Sequence, residues 1–120
     1  MIKKNFMNEM KINNDMNDKE LLLKAIDNYS LYTSAQRVLL RTFVSINVNN
    51  IIITDVKELS KMLGISKATI YSSLEIFLIG GVIERVKSPN KGIGMLKLIS
   101  SQLEEIKNIF LKKHELLKNY

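Results

Sequence analysis

The chain has 120 residues, 46% of them apolar and 25% charged, with a formal net charge of +6 and a mean hydropathy of zero. That size suits one domain with its own core, and the absence of Cys removes disulfides, thiolate metal sites and cysteine nucleophiles. No apolar run approaches the roughly 18 residues that span a bilayer, and the start MIKKNFMNEM lacks the apolar stretch of a secretory signal, so a cytoplasmic protein with no membrane partner is expected.

Residues 1–17 are rich in Asn, Met and Lys. Ile2, Phe6 and Met10 fall at helical spacing, but the composition suits a flexible or weakly helical tail. Asp18 can cap a helix that runs through Tyr29, with Leu22, Ile26 and Tyr29 on one face. Thr33 and Gln36 form a capping box. The helix after it should reach about Asn47, with Val38, Leu39, Thr42, Phe43 and Ile46 turned inward. Asn49-Asn50 reads as a turn and Ile51-Ile52-Ile53 as a short strand. Thr54 is the expected cap of the next helix, and Val56, Leu59, Met62 and Leu63 are its buried side.

The stretch GISKATIYSSL, residues 64 to 74, then breaks and restarts the helix. Gly64 takes the left-handed position without steric cost. Ser66 caps a new helix that should run from Lys67 to about Ile79, anchored by Ile70, Leu74 and Phe77. Lys67, Ala68, Thr69, Tyr71 and Ser72 are left outside at its front. Two helices joined by a tight glycine turn form a helix-turn-helix. A small, polar front is what a helix entering the major groove needs. Gly80-Gly81 ends this helix. Val82 to Lys87 and Met95 to Ile99 read as strands around the turn-rich loop SPNKGIG. Ser101 and Glu104 form a second capping box that opens a terminal helix. Leu103, Ile106, Phe110 and Leu117 line one side of it.

Charge follows the same division. Residues 34–99 hold nine Lys/Arg against four Asp/Glu, and the rest of the chain holds nine against eight. A basic excess on one segment is the footprint of a polyanion partner. A general Lys-rich composition is the competing explanation.

VKELSKMLGISKATIYSSL, GGVIERV, SPNKGIG and MLKLI occur in that order from Val56 to Ile99. With them the segment from Ser34 to Ile99 resembles the winged helix-turn-helix DNA-binding proteins of bacteria, phages and plasmids. The resemblance implies an α+β, mostly α fold: a winged helix-turn-helix domain over 34–99, with additional helices at 18–33 and 100–120. It implies double-stranded DNA as partner. Ser66, Lys67, Ala68, Thr69, Tyr71 and Ser72 would contact bases and phosphates. Lys87, Asn90 and Lys91 of the wing would contact backbone or minor groove. INVNNIIIT also resembles a segment of small plasmid replication initiators. Two departures stand out. No Arg lies near Tyr71 or Ser72, so guanine readout from the front of this helix is not expected. Ile76, Leu78 and Ile79 are apolar where relatives place polar residues.

Other features have plain explanations. His114 stands without further metal ligands. Gly92-Ile-Gly94 lacks the Lys-Ser/Thr and helix of a nucleotide loop. Glu104-Glu105 suits a helix start. No nucleophile–base pair, carboxylate cluster or cofactor motif is evident, so neither an enzyme nor a cofactor is expected, and no small-molecule ligand is evident.

The function expected is that of a sequence-specific, dimeric transcriptional regulator. A plasmid or phage replication initiator that recognises an origin uses the same DNA chemistry. A winged-helix module that binds protein would fail to bind any duplex at low salt. Leu22, Ile26, Leu103, Ile106, Phe110 and Leu117 exceed what a core of 34–99 needs. They are the expected homodimer seam.

Overall fold

The computed structural model describes residues 18–87 and 94–118. Helix α1 covers 18–27 and α2 Ser34–Ile46. Strand β1 (Ile51–Thr54) follows, then α3 (Val56–Leu63) and α4 (Lys67–Gly80). Strands β2 (Ile83–Val86) and β3 (Gly94–Leu98) lead into α5 (Ser100–Lys118). The three strands form one antiparallel sheet in the order β1-β3-β2. The fold is α+β, mostly helical and winged-helix-like. The expected tail at 1–17 and most of the loop SPNKGIG lie outside the described residues.

Capping residues set the helix starts. Thr33 Oγ1 accepts from the Gln36 N–H at 3.2 Å, and Gln36 Oε1 accepts from the Thr33 N–H at 3.0 Å, closing the box at α2. The cap of α3 is Asp55, not Thr54. Its Oδ1 accepts from Lys57 and Glu58 N–H at 3.1 and 3.2 Å, which a carboxylate does better than a hydroxyl. Thr54 stays in β1, opposite Gly94. Helix α5 begins at Ser100, so Ser101 lies inside the first turn, and Glu104 sits 3.0 Å from Lys107 Nζ. Helix α1 ends at 27, before Tyr29.

Asn49 and Asn50 both have positive φ, 53° and 67°. Asn tolerates that region better than most side chains. Val48 and Ile51 exchange two backbone hydrogen bonds across them, at 3.0 and 2.9 Å. The chain thus turns tightly into β1.

One core joins all these elements. Leu39, Leu40, Phe43 and Val44 face it from α2. Ile52, Ile83, Leu96 and Leu98 face it from the sheet, and Ile70 and Phe77 from α4. The inward face of α2 is rotated from expectation: Val38 and Ile46 are 44% and 47% exposed, and Leu40 and Val44 are buried instead. Helix α1 brings Ala25 and Ile26 to the same core and is tied to α2 through Asp27 and Arg41. Arg37 Nη1 donates to the carbonyls of Tyr29 and Tyr32, and Arg41 pairs with Asp27. These two cations therefore hold α1 and the following loop.

The expected seam is corrected in the same way. Ile26, Leu103 and Ile106 are buried inside the monomer, and Leu22 and Phe110 pack half-buried against the core. They were surplus only to a core built from 34–99 alone. Leu117 lies outside the described side chains.

Lys107 Nζ binds Asp18 Oδ1 at 2.7 Å and Glu104 Oε1 at 3.0 Å, joining α1 to α5. The hydrogen bond to Asp18, then that to Glu104, raises the lysine above its ordinary 10.5. Both bonds favour charged lysine, so their contribution is complete below that value and is lost as pH rises through the raised one. Lys107→Met should lower stability at pH 7 by about 0.5–1 kcal/mol. Urea unfolding of both proteins should show the difference shrinking above pH 10.5.

Candidate nucleic-acid interface

Helices α3 and α4 meet at 110° across Gly64-Ile65-Ser66, within the range of a helix-turn-helix. Gly64 closes α3 at φ 65°, the left-handed region that disfavours any Cβ. Ser60 Oγ donates to the Ile65 carbonyl at 2.7 Å and holds the turn from inside. Ser66 Oγ accepts from the Thr69 N–H at 3.2 Å and starts α4.

The rear of α4 is fixed and its front is free. Ile70, Ser73 and Phe77 are buried, and Leu74 is half-buried rather than fully so. Ser73 is a core residue that its polarity concealed; its hydroxyl donates to the Thr69 carbonyl at 2.7 Å. Ser66, Lys67, Ala68, Tyr71 and Ser72 are exposed together, with Thr69 half-buried among them. Tyr71 is 58% exposed, so its ring is not spent on packing.

Helix ends differ in charge. Asp55 caps α3 and Glu58 lies in its first turn, whereas α4 has a neutral serine cap, no acidic residue in its first turn and Lys67 at its first position. The first N–H groups of α3 are thus already taken by Asp55, whereas the start of α4 carries no competing carboxylate.

A groove of about 660 Å³ runs between α4, the start of α3 and the sheet. Leu74, Leu78 and Leu96 line its depth, and Lys57, Lys67, Tyr71 and Arg85 stand around it. Two carboxylates share the groove. Asp55 is committed to its cap, and Glu75 follows Tyr71 by one turn. Among the described residues Lys57, Lys67 and Arg85 enter no ion pair.

Thus the six expected α4 residues lie together at one end of that helix. Lys87 is exposed just beyond β2. Asn90 and Lys91 lie outside the described residues. Lys57 and Arg85 are additions. The signal for Arg85 was the period of two in VIERVK, which puts it on the same side of the strand as Lys87. No sequence signal separates Lys57 from any other exposed helix lysine.

Among the described residues no three His, Cys, Asp or Glu side chains group as a metal site, and His114 stacks on Phe110 with ring centres 5.7 Å apart. No single helix among them is long and apolar enough to cross a membrane.

No protein-family model matches the sequence, and no curated protein matches it. Among solved structures the chain is similar to that of a "possible transcriptional regulator" from Methanosarcina mazei Go1, at 16% identity and a TM-score of 0.53. The match covers 84% of this chain and 86% of the other. At that identity the likeness shows a shared fold.

Thr69→Ala with Ser72→Ala removes two hydroxyls from the front of α4. The double variant should keep its unfolding midpoint within a few degrees of the parent. It should bind its preferred duplex roughly tenfold more weakly, about the worth of two hydrogen bonds. Gel-shift titration checks this, and unchanged affinity would remove the front of α4 from the interface.

Proposed function

We propose that this chain binds double-stranded DNA in a sequence-selective way and acts as a transcriptional regulator. The observation that carries the proposal is the convergence of exposed cations from three elements beside the uncrowded front of α4. Lys57 comes from α3, Lys67 from α4 and Arg85 from β2. Convergent cations free of internal partners suit a polyanion. The small side chains Ala68, Thr69 and Ser72 let the helix backbone approach base edges. The similarity to a protein described as a possible transcriptional regulator supports the same direction.

The site residues take two roles in this proposal. Ser66, Lys67 and Tyr71 position the helix on phosphates and sugars. Ala68, Thr69 and Ser72 face the bases, with the Ala68 methyl suited to a thymine methyl. Lys87, Asn90 and Lys91 serve the flanking backbone.

A two-fold dimer is part of the proposal, on a narrower basis than the sequence suggested. The residues that close the monomer core are spent. Ile109 and Leu111 of α5, at 47% and 40% exposed, remain for a partner copy.

Selection of bound duplexes from a random pool tests the reading. A recurring motif with two inverted half-sites about one DNA turn, roughly 34 Å, apart is expected. A single asymmetric motif, with a monomer in sedimentation equilibrium, would overturn the dimer and keep the regulator. Recovery of no duplex at low salt would overturn DNA binding itself.

A further inference from the structure

The floor of the groove beside α4 is apolar, which contacts to phosphate do not require. Leu74 and Leu78 stand one turn apart on α4 and are only half-buried. Val56, at the start of α3, is half-buried too. All three line the groove together with the buried Leu96 of β3. The surface that the core leaves uncovered on these side chains opens into one concavity of about 660 Å³. Small-molecule sites span roughly 300–1,000 Å³ and combine an apolar lining with a few polar groups that fix orientation.

Strand register brings such a polar group to the floor. Arg85 pairs with Leu96 on β3, and Leu96 pairs with Ile52 on β1. Ile52 and Leu96 are buried, so the row that contains Arg85 faces the helices. Glu84 and Lys97 pair in the next row, on the opposite face. Arg85 is exposed and lines the groove with Lys57, Lys67 and Tyr71. A guanidinium holds a carboxylate through two parallel N–H donors, a geometry that a lysine ammonium lacks. Three cations therefore face two carboxylates, one of which, Asp55, already accepts from the N–H groups of its own helix. We propose that this groove is a binding site for a small amphipathic carboxylate, with its apolar body on Leu74, Leu78 and Leu96 and its carboxylate on Arg85. Lys57 and Lys67 add attraction for the charge, and Glu75 opposes it. A purely apolar molecule would leave the cations unused, and a small hydrophilic anion would leave the leucines wet. Lys67 and Tyr71 also belong to the front of α4. A duplex and the carboxylate therefore compete for them, a consequence that rests on the DNA reading, whereas the site itself does not.

The test titrates the full chain with octanoate and follows methyl and amide shifts by NMR. Octanol serves as the same body without the charge, and acetate as the charge without the body. Octanoate should bind with a dissociation constant on the order of 1 mM or tighter, octanol at least about tenfold more weakly, and acetate not at all. The largest methyl shifts should fall on Leu74, Leu78 and Leu96. Arg85→Ala should bring octanoate down to the affinity of octanol. Arg85 is exposed, so the parent unfolding midpoint should persist in that variant. Glu75→Gln should bind octanoate more tightly than the parent, a direction that loss of structure cannot produce. Octanol binding as tightly as octanoate would overturn the proposal. So would shifts centred on the cleft between α1 and α5, or no shift at several times the expected dissociation constant. At constant ionic strength, octanoate at about ten times its dissociation constant should weaken binding of a pool-selected duplex about tenfold. An unchanged duplex affinity would overturn the competition. A parent that binds no duplex would overturn the DNA reading, and the octanoate titration alone would then decide the site.

Discussion

The ring of Phe77 is the contact on which the presentation of α4 depends. It is fully buried, 5.3 Å from the Tyr32 ring and 6.4 Å from the Phe43 ring by centroid, both tilted edge to face. Such aromatic pairs stabilise beyond the area they bury. Phe43 comes from α2 and Tyr32 from the loop before it, so one side chain ties α4 to both. Tyr32 is itself held by Tyr29, whose ring lies 4.7 Å away, and by the Arg37 guanidinium bound to both tyrosine carbonyls. Burial first, and Tyr29 second, push the Tyr32 hydroxyl up to about 12. This phenol is therefore neutral across the working range of a protein. The rear two turns of α4 are fixed by this cluster. In the front two turns Ile70 is buried as well, so the outward face of Lys67, Ala68, Tyr71 and Ser72 is set by contacts at both ends of the helix.

Polarity along α4 divides at that contact. Ahead of it, Lys67, Ala68, Thr69, Tyr71 and Ser72 form a wet surface. On either side of it, Ile76 and Ile79 are 43% and 80% exposed. The charged groove lies beside the front half and continues into the sheet through Arg85. Charge, small side chains and a neutral helix cap thus meet on one side of the molecule. The ion pairs Asp18–Lys107 and Asp27–Arg41 hold helices together elsewhere.

Local chemistry was legible wherever one residue settles one conformation. The Thr33–Gln36 box, the asparagine turn, Gly64 and the Ser66 cap each act within four residues, and each stands where its side chain predicts. Ile70 and Phe77 were legible because residues seven apart on a helix lie on one stripe, the side it buries. Features decided by distant chain were not. The inward face of α2 is set by the elements that share its core, Ala25 and Ile26 of α1 among them, which no window inside α2 contains. Ile26, Leu103 and Ile106 looked surplus because their partners come from opposite ends of the chain. Arg85 was read as part of a strand, and its place beside Tyr71 depends on a three-strand register. Asp55 displaced Thr54 as a cap because β1 runs one residue further than its isoleucines.

Amide shift mapping by NMR, with a pool-selected duplex titrated into the labelled chain, tests the central claim most directly. The largest changes should fall on Ser66 to Ser72, on Lys57 and on Arg85 to Lys87, with the amides around Phe77 nearly still. Changes centred on α1 and α5, with the front of α4 unaffected, would contradict the claim that the end opposite Phe77 is the DNA-facing surface.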